Sequence, residues 1–548
     1  MFMRALGAAL VLGLGLAGIA VGSVGAADDP TVVKLAIAVP IVVPASADEF
    51  LDATTLELYT STQGLLTREL DAVFGRPVAI GIDPRIIASI RVLGSSAPAS
   101  ALAWLDRLEA APNQTFALAY ADADVTLQTQ GGGPTVLQPE TFDFAIDPAF
   151  FAAAPGTSTP EPTATPGGPT LPVLPTSDQI LDWPYSLAGI AWPRDDTAIA
   201  ADLPKIAASG YTTTILSSSN ITRDAATGPT AQVDGVGVVV SDTAVSGALR
   251  SASAAVLSTD WDAALTQLSS ALAAGSRVQS GGGTMLATLD RTIPTGGGRL
   301  GETIDALSSD PAVELVPLAQ AMGVAPSTAT IIDEPQPADR ISRVGQMIQG
   351  EIAERAFASV ASDPAAITSS RRLELLTLLS AEWTNDLPSW PEAADAFTTA
   401  SIALRNSVHL VESSNFLLVA DSGQYLPITV SNGLDQPVTV YITVRSQSGL
   451  LAIDTPRVQL ELEAGAQAKK DIPVHSLSNG VVEVDVSLSS ITNVPIGSPI
   501  SSEVNVQAGW ETPIVVAFAI LVVLVFGAGV VRTVLRRRKA HRLEADGD

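Results

Sequence analysis

Short apolar runs alternate with stretches of helical period between residues 31 and 400. The run at 77–82 precedes a helical pattern that ends at Leu93, and a predicted helix at 99–110 precedes a strand at 115–120. Apolar strands without polar alternation, with helices between them, are typical of a parallel sheet covered on both faces. Residues 31–400 are therefore predicted to form an α/β domain, either a TIM-like βα barrel or an open doubly wound sheet. Its later strands are predicted at 187–191, 212–216, 236–240 and 285–289, with helices separating the last three.

Residues 337–406 have helical period throughout, and from about Val408 the period changes to two. Short strands follow, separated by turn signals such as Ser431-Asn432-Gly433. Near-regular strand spacing of this kind is typical of a β-sandwich, most simply an immunoglobulin-like one. We therefore expect a sandwich over residues 407–509 that acts as a stalk or spacer. Its strands are predicted at 416–420, 425–430, 437–444, 458–462 and 481–488.

The two ends of the chain carry membrane-targeting signals. Arg4 precedes an apolar run, and the small residues up to Ala26 resemble a cleavage site, which predicts a signal peptide over residues 1–26. An uncharged apolar stretch begins at Ile514 and ends at Val531, long enough to cross a bilayer as a helix. The tail at 532–548 is rich in arginine, so the positive-inside rule predicts a cytoplasmic C-terminus. We expect a single-pass cell-membrane protein whose N-terminal bulk is extracellular.

A Pro/Thr-rich stretch at 154–178 interrupts the α/β pattern. Its composition favours an extended, polyproline-like linker or loop, because it offers too few apolar side chains to form a core. It either separates two domains or is a surface insertion within one. Its Thr/Pro character would also suit O-glycosylation.

Charge and cysteine content narrow the classes of function. The formal net charge is −27, and setting aside Arg4 and the tail leaves 23 basic against 54 acidic residues. This anionic bulk argues against nucleic acid as a partner, because it would repel phosphates. The chain has no cysteine, which excludes disulfides, thiol catalysis and thiolate metal sites. Neither a cofactor nor a metal ion is expected.

The distribution of histidine limits the chemistry further. The three histidines are His409, His475 and His541, so residues 31–400 contain none. Ser-His-Asp catalysis and histidine-ligated zinc are thereby excluded from the α/β domain. Carboxylate chemistry remains, and two carboxyl groups suffice for glycoside hydrolysis. Aspartates follow the predicted strands, where barrel active sites gather, and the weak catalytic candidates among them are Asp83, Asp122, Asp124 and Asp195.

Helix capping is the competing interpretation of these aspartates. Asp83-Pro84 has the form of an N-cap followed by proline at the first helical position, and Asp242 precedes a predicted helix in the same way. Capping is favoured over catalysis for Asp83 and Asp242, and less strongly for Asp122, Asp124 and Asp195. Sugar binding would also need aromatic faces for stacking, and the weak candidates are Trp183, Trp192 and Trp261.

Several short motifs resemble those of an actinobacterial family of secreted, membrane-anchored proteins, domain of unknown function 6049. They are Ile80-Gly-Ile-Asp-Pro84, Trp104-Leu-Asp-Arg-Leu108, Tyr120-Ala-Asp-Ala-Asp124, Ile190-Ala-Trp-Pro193 and, near the end, Leu426-Pro-Ile-Thr-Val-Ser-Asn432 and Gln436-Pro-Val438. The resemblance implies an envelope location and a barrel-like fold reminiscent of glycosidases, without implying a reaction. The short N-terminal region and the Pro/Thr-rich insertion depart from the family pattern.

Three functions are compatible with these features. The favoured one is a non-catalytic, membrane-anchored envelope protein with a binding or scaffold role towards cell-wall polysaccharide or envelope membrane proteins. The second is a membrane-tethered glycoside hydrolase that uses paired carboxylates. The third is a regulatory partner of a cell-wall assembly complex, acting through the membrane helix and tail.

Overall fold

The computed structural model describes residues 32–151, 172–223, 228–278, 283–291, 298–411, 416–419, 425–507 and 511–543. The predicted signal peptide and residues 154–171 of the predicted insertion lie outside these ranges. Within the remainder of that insertion, Thr176 and Gln179 form a capping box that starts a short helix at Ser177. The extended segment predicted at 154–178 therefore ends before Ser177.

Eleven strands lie in the described residues of the α/β part, and they are mostly short and buried on both faces. They are β1 (Val33–Ile41), β2 (Ala79–Ile82), β3 (Gln114–Ala117), β4 (Ile190–Ala191), β5 (Thr213–Ser217), β6 (Ile221–Arg223), β7 (Thr230–Val233), β8 (Val236–Ser241), β9 (Thr284–Thr288), β10 (Val313–Leu315) and β11 (Ser327–Ile331). The helices around them are α1 (Ala53–Thr60), α2 (Leu65–Val73), α3 (Pro84–Val92), α4 (Ala99–Glu109), α5 (Val125–Gln130), α6 (Ser177–Leu181), α7 (Asp202–Ala208), α8 (Thr243–Ala254), α9 (Ser258–Val278), α10 (Leu300–Ser309) and α11 (Leu318–Met322). Three long helices follow, as the helical period of 337–406 predicts: α12 (Ala338–Ala358), α13 (Pro364–Leu378) and α14 (Trp390–Arg405).

The first sheet is wholly parallel and is organised around β1, which the sequence analysis did not identify. β1 pairs in parallel with β2, β9 and β10, and β2 pairs in parallel with β3. Leu35 and Ile37 of β1 pack in the core shared with the helices, whereas Ala36 and Ala38 point into a second core. Because both faces of β1 are buried, its sequence is a continuous apolar run without polar alternation.

The second sheet is mixed, with strand order β4-β5-β8-β7-β11-β6. The predicted helix between the strands at 212–216 and 236–240 is wrong, because β6, β7 and a short 3₁₀ turn occupy that interval. Val233 pairs with Val236 across a two-residue Asp234-Gly235 turn in which both residues have positive φ. Asp-Gly favours this type of hairpin turn, since its left-handed backbone matches the twist of the strands.

Backbone hydrogen bonds connect the two sheets at two places. Asp242 N donates to Leu286 O at 2.8 Å, and Leu187 N donates to Thr115 O at 2.9 Å. Side chains of both sheets also share one core, in which the small residues of β1 and β2 face larger side chains of the second sheet. Its members include Ala36, Ala38, Ala79, Phe116, Ile190, Trp192, Ile215, Val239 and Leu286.

Two further sheets follow at residues 408–507 and share one hydrophobic core. Their strands are β12 (Val408–Leu410), β13 (Phe416–Val419), β14 (Tyr425–Asn432), β15 (Val438–Ser446), β16 (Leu451–Ile453), β17 (Arg457–Leu462), β18 (Gln467–Ser476), β19 (Gly480–Ser489) and β20 (Pro495–Gln507). All pairs are antiparallel except β13 with β20. Along β14 buried and half-buried residues alternate, as the period of two predicts.

The chain ends in the long helix α15 (Glu511–Leu543). Its segment Ile514–Arg538 is long and apolar enough to cross a membrane, and the side chains described there are exposed. By length and composition this segment is a candidate membrane span. The predicted span from Ile514 to Val531 lies within it.

Candidate functional site

A small polar pocket lies where several predicted strand ends meet, and we call it the strand-end pocket. Its cavity volume is about 180 Å³. The lining comes from the loop after β4, from α8, from the segment after β9 and from a 3₁₀ turn at Ala381–Asp386. The lining residues are Arg194, Asp195, Arg250, Leu289, Asp290, Arg291, Ala381 and Thr384.

Asp122 is held beneath this pocket by a bidentate ion pair. The chain leaves β3 through a turn in which Ala121 and Asp122 have φ of 57° and 48°. Residues in this left-handed region are unusual and often mark functional or strained sites. Arg291 donates to both carboxylate oxygens of Asp122 at 3.0 Å, and both side chains are buried. Burial raises the pKa of Asp122, and the Arg291 charge opposes that rise.

Arg291 also fixes the base of the pocket. Its Nη2 donates to Trp192 O at 2.6 Å, and its guanidinium carbon lies 4.5 Å from the centroid of the Trp192 ring. The ring packs against Phe116 in the core shared by the two sheets. Arg291 therefore joins the end of β9 to the ends of β3 and β4 through one buried cation.

Asp195 is neutralised by a second arginine. Arg250 Nη2 lies 2.6 Å from Asp195 Oδ2, and Arg250 Nε lies 3.9 Å from Asp290 Oδ2. Arg250 also donates to Thr288 O at 3.1 Å, which ties its side chain to the end of β9. Asp195 and Asp290 remain partly exposed in the pocket, so they contribute polar lining without being free carboxylates.

The other two aspartate candidates cap helices. Asp83 accepts from Arg85 N at the start of α3, and burial raises its pKa to about 7. Asp124 starts α5, where its Oδ1 accepts from Thr126 N, and its Oδ2 accepts from Gln336 Nε2 at 2.7 Å. Asp242, favoured as a cap from the sequence, accepts from Val245 N at the start of α8. Of the four catalytic candidates, only Asp122 and Asp195 approach the pocket without capping a helix.

Glu382 is a buried carboxyl at this site that sequence reasoning missed. It is 4% exposed, and burial together with the negative charge of Asp122 raises its pKa to about 8. Asn385 Nδ2 donates to its Oε2 at 2.9 Å, while its Oε1 has no hydrogen-bond partner in the described part of the chain. Helical period predicts helix throughout residues 337–406, but α13 stops at Leu378 and a 3₁₀ turn places Glu382 between the pocket-lining residues Ala381 and Thr384. Local periodicity gives no signal for such a placement.

The three tryptophan candidates lie in different environments. Trp183 and Trp192 are 7% and 6% exposed, and Arg91 and Arg291 lie over their rings. Trp261 is half-buried on α9, donates from Nε1 to Thr303 Oγ1 at 3.0 Å, and has a cation over its ring. Sugar stacking stays a prediction for all three, and Trp261 has the most accessible ring.

The described residues contain no group of three or more His, Asp or Glu side chains arranged to hold a metal ion. Of the acidic side chains in or beside the strand-end pocket, Asp122 and Asp195 pair with arginines, whereas Glu382 accepts a hydrogen bond from the amide of Asn385.

Comparisons with known proteins identify a family but not an activity. The model of a family of unknown function, DUF6049, matches residues 24–542, which confirms the resemblance seen in the sequence motifs. The search of curated proteins gives no match.

Solved structures give weak likenesses to separate parts of the chain. The α-amylase AmyC from Thermotoga maritima is 10% identical, with 68% of this chain and 92% of that chain covered and a TM-score of 0.40. WR4, an MSP family member from C. elegans, is 9% identical, with 19% and 99% covered and a TM-score of 0.15. A fragment of alpha-2-macroglobulin from Escherichia coli is 20% identical, with 18% and 16% covered and a TM-score of 0.15. Identities and TM-scores this low support no inference about function.

Proposed function

Because the chain belongs to the DUF6049 family, whose function is unknown, we propose a function from its own residues: a membrane-tethered envelope protein that binds cell-wall polysaccharide without cleaving it. The polysaccharide enters the strand-end pocket, and the sandwich at 408–507 is an immunoglobulin-like spacer above the membrane. The bulk of the chain is extracellular and the tail is cytoplasmic.

The tethered topology is supported by the sequence of both ends. The predicted signal peptide directs the chain out of the cytoplasm, and the exposed apolar segment of α15 stops its transfer. Arg536, Arg537, Arg538 and Lys539 follow the uncharged stretch that ends at Val531, as expected for a cytoplasmic flank. In this topology the large anionic part of the chain lies on the extracellular side of the membrane.

The barrel-like arrangement is supported by the links between the two sheets. A ring of β1, β2, β3, β4, β5, β8 and β9 would be joined through the Leu187–Thr115 and Asp242–Leu286 backbone hydrogen bonds. The core shared by both sheets would then be the barrel interior. The strand-end pocket would occupy the carboxyl ends of the strands, where barrel sites are built.

One observation supports a non-catalytic role: the four candidate aspartates already form ion pairs or cap helices. Asp122 is paired with Arg291, Asp195 with Arg250, and Asp83 and Asp124 cap helices. A hydrolase of the carboxylate type needs one free carboxylate as base or nucleophile and one acid beside the glycosidic bond. Arginine pairing lowers the basicity and nucleophilicity of a carboxylate, whereas guanidinium and carboxylate groups lining a pocket are suited to hydrogen-bond sugar hydroxyls.

The test uses the full chain in detergent micelles with purified, insoluble cell-wall polysaccharide. We expect the protein to sediment with the polysaccharide and to release no reducing ends over a long incubation. Release of reducing ends would overturn the non-catalytic role. Failure to sediment with any wall preparation, together with retention of other envelope proteins, would replace the polysaccharide by a protein partner.

Glycoside hydrolysis is the second candidate, and Glu382 is the observation that favours it. A carboxylic acid whose pKa is about 8 is protonated at neutral pH, as a general acid must be. Glu382 lies behind the pocket lining formed by its neighbours Ala381 and Thr384, and the partly exposed Asp290 and Asp195 in that lining would serve as the second group. If reducing ends are released, a Glu382→Gln variant should lose that activity while still binding polysaccharide.

A further inference from the structure

Arg340 is a buried arginine that forms no ion pair with any residue that the structure describes. It lies in the first turn of α12, is 3% exposed, and its guanidinium carbon lies 5.1 Å from the centroid of the Trp390 ring. Its Nε and Nη2 atoms have no hydrogen-bond partner within the ranges that the structure describes. Buried charged groups are normally paired, so an orphaned guanidinium indicates a missing anionic partner.

A second guanidinium, Arg194, lies in the strand-end pocket near Arg340. Its side chain is half-buried and makes no ion pair with any described residue, unlike its pocket neighbours Arg250 and Arg291. Burial lowers the pKa of Arg340 to about 10; the negative charges of Asp124 and Asp339 oppose this fall, and the positive charge of Arg194 contributes to it. The two cations therefore lie within electrostatic reach of each other.

Polar contacts through α5 hold these two arginines in fixed segments. Gln130 Nε2 donates to Thr197 O at 2.8 Å, and Thr197 Oγ1 donates to Arg194 O at 2.9 Å. On the other side, Gln336 N, which lies just before α12, donates to Gln130 Oε1 at 2.8 Å. The loop that carries Arg194 and the entry to α12 that carries Arg340 are thus joined by one glutamine.

Asp124 acts on the charge of both arginines but forms no ion pair with either of them. Asp124 contributes favourably to the charge of both, but its oxygens already accept hydrogen bonds. Oδ1 accepts from Thr126 N at 3.0 Å, from Thr126 Oγ1 at 2.8 Å and from Leu127 N at 3.4 Å, and Oδ2 accepts from Gln336 Nε2 at 2.7 Å. Asp195 also favours the charge of Arg194, but it pairs with Arg250, and Asp339 favours the charge of Arg340 without forming an ion pair with it. Two guanidinium groups without an ion-pair partner among the described residues therefore lie beside the pocket or in its lining.

We propose that Arg194 and Arg340 form a recognition centre for an oxyanion, a carboxylate or a phosphate, carried by the polysaccharide in the strand-end pocket. This inference rests on the proposed function and specifies its ligand as an acidic glycan. Arg194 makes the direct contact through its planar fork, which matches the two oxygens of such a group. Arg340 is a positioning residue whose buried positive charge, without an ion-pair partner among the described residues, strengthens that contact.

The experiment measures dissociation constants by calorimetry with the full chain in detergent micelles. The first probe is a tetrasaccharide of alternating N-acetylglucosamine and N-acetylmuramic acid, which carries lactyl carboxylates. Its matched control is the same tetrasaccharide with those carboxylates amidated, and a glycerol phosphate oligomer tests phosphate as the source of the oxyanion. We expect at least one acidic probe to bind about tenfold more tightly than the amidated tetrasaccharide, which is about 1.4 kcal/mol.

The variants assign that preference to the two arginines. Arg194→Gln should reduce the affinity of the acidic probe to that of the amidated control, and Arg340→Lys, which keeps the charge but removes the fork, should lose less. Arg107→Gln is the matched control, because it removes one positive charge from a partly exposed residue of α4 that pairs with Asp71, outside the pocket lining. Its affinities should equal those of the wild type.

The outcomes separate the two proposals. If the protein sediments with polysaccharide but all probes bind equally, or if Arg194→Gln keeps the preference for acidic probes, the oxyanion centre is refuted and the binding role stands. If the protein binds neither polysaccharide nor any probe, both proposals fall. If the wild type prefers the acidic probes, and this preference is lost in Arg194→Gln but kept in Arg107→Gln, both the binding role and the oxyanion centre are supported.

Discussion

Replacing Glu382 by glutamine should remove a pH-dependent loss of stability. Glutamine has nearly the same shape as the protonated acid, and its Oε1 can still accept the hydrogen bond from Asn385 Nδ2, which is 2.9 Å long in the wild type. Burial raises the pKa of Glu382 from 4.5 to about 8 in the folded protein. The folded state therefore holds a proton on this group over a pH range in which the unfolded chain has lost it.

The sign and size of the effect follow from that difference. Below pH 4.5 the carboxyl is protonated in both states and contributes nothing. As pH rises towards 8 the unfolded state releases its proton first, so wild-type stability falls, and the loss is complete above the folded pKa. The difference between the two pKa values corresponds to about 5 kcal/mol. Glu382→Gln should match the wild type near pH 4.5 and exceed its free energy of unfolding by up to about this amount at pH 9.

Urea unfolding of the full chain in micelles provides the assay, since the buried rings of Trp383 and Trp390 lie near Glu382 in the chain and report on its surroundings. The quantity to plot against pH is the free energy of unfolding of the variant minus that of the wild type. Glu392→Gln, on the exposed face of α14, is the control and should give a flat line near zero. A flat line for Glu382→Gln as well would refute the assignment of a buried, protonated carboxyl at this position.

Four further predictions concern the ion pair, a cap, an aromatic face and the anchor. Asp122→Asn leaves Arg291 buried without its counter-charge and should cost about 3–5 kcal/mol in urea unfolding, most of which the added change Arg291→Met should recover. Asp124→Ala removes the N-cap of α5 and should cost about 1–2 kcal/mol, so unchanged stability would contradict the capping role. Trp261→Ala should weaken polysaccharide binding about tenfold if its ring stacks on sugar, measured by sedimentation, whereas unchanged binding removes it from the site. Ending the chain at residue 507 should release the protein into the medium, and retention on the membrane fraction would contradict anchoring by α15.

Local signals in the sequence were sufficient for several elements. Asp83-Pro84 and Asp242 were interpreted as helix caps from residue type and position alone, and both accept the backbone N–H expected of a cap. The period of two after Val408 predicted antiparallel strands, and the apolar run that begins at Ile514 predicted the exposed apolar helix. These features depend on contacts within a few residues, or on the match between side-chain period and backbone geometry.

Two elements that differ from the sequence prediction, the hairpin at Asp234-Gly235 and strand β1, have clear local signals in the sequence. Asp234-Gly235 between apolar residues is a hairpin signal, yet a helix was predicted in that interval. The buried run of β1 lies directly after the predicted leader, and no strand was predicted there although its apolar pattern matches that of the other parallel strands. In both cases the sequence contains the information.

The sequence alone determined the order of the α/β part, the β sheets and the apolar helix, and it limited the chemistry by containing no cysteine and no histidine in residues 31–400. Which charged side chains contact each other depends on the tertiary structure. Asp122 and Arg291 are 169 positions apart, and a turn after α13 brings Glu382 within electrostatic range of both. Which aspartate is paired, which is a cap and which arginine stays unneutralised depends on strand order, register and burial, and local period and residue type do not encode these long-range relations.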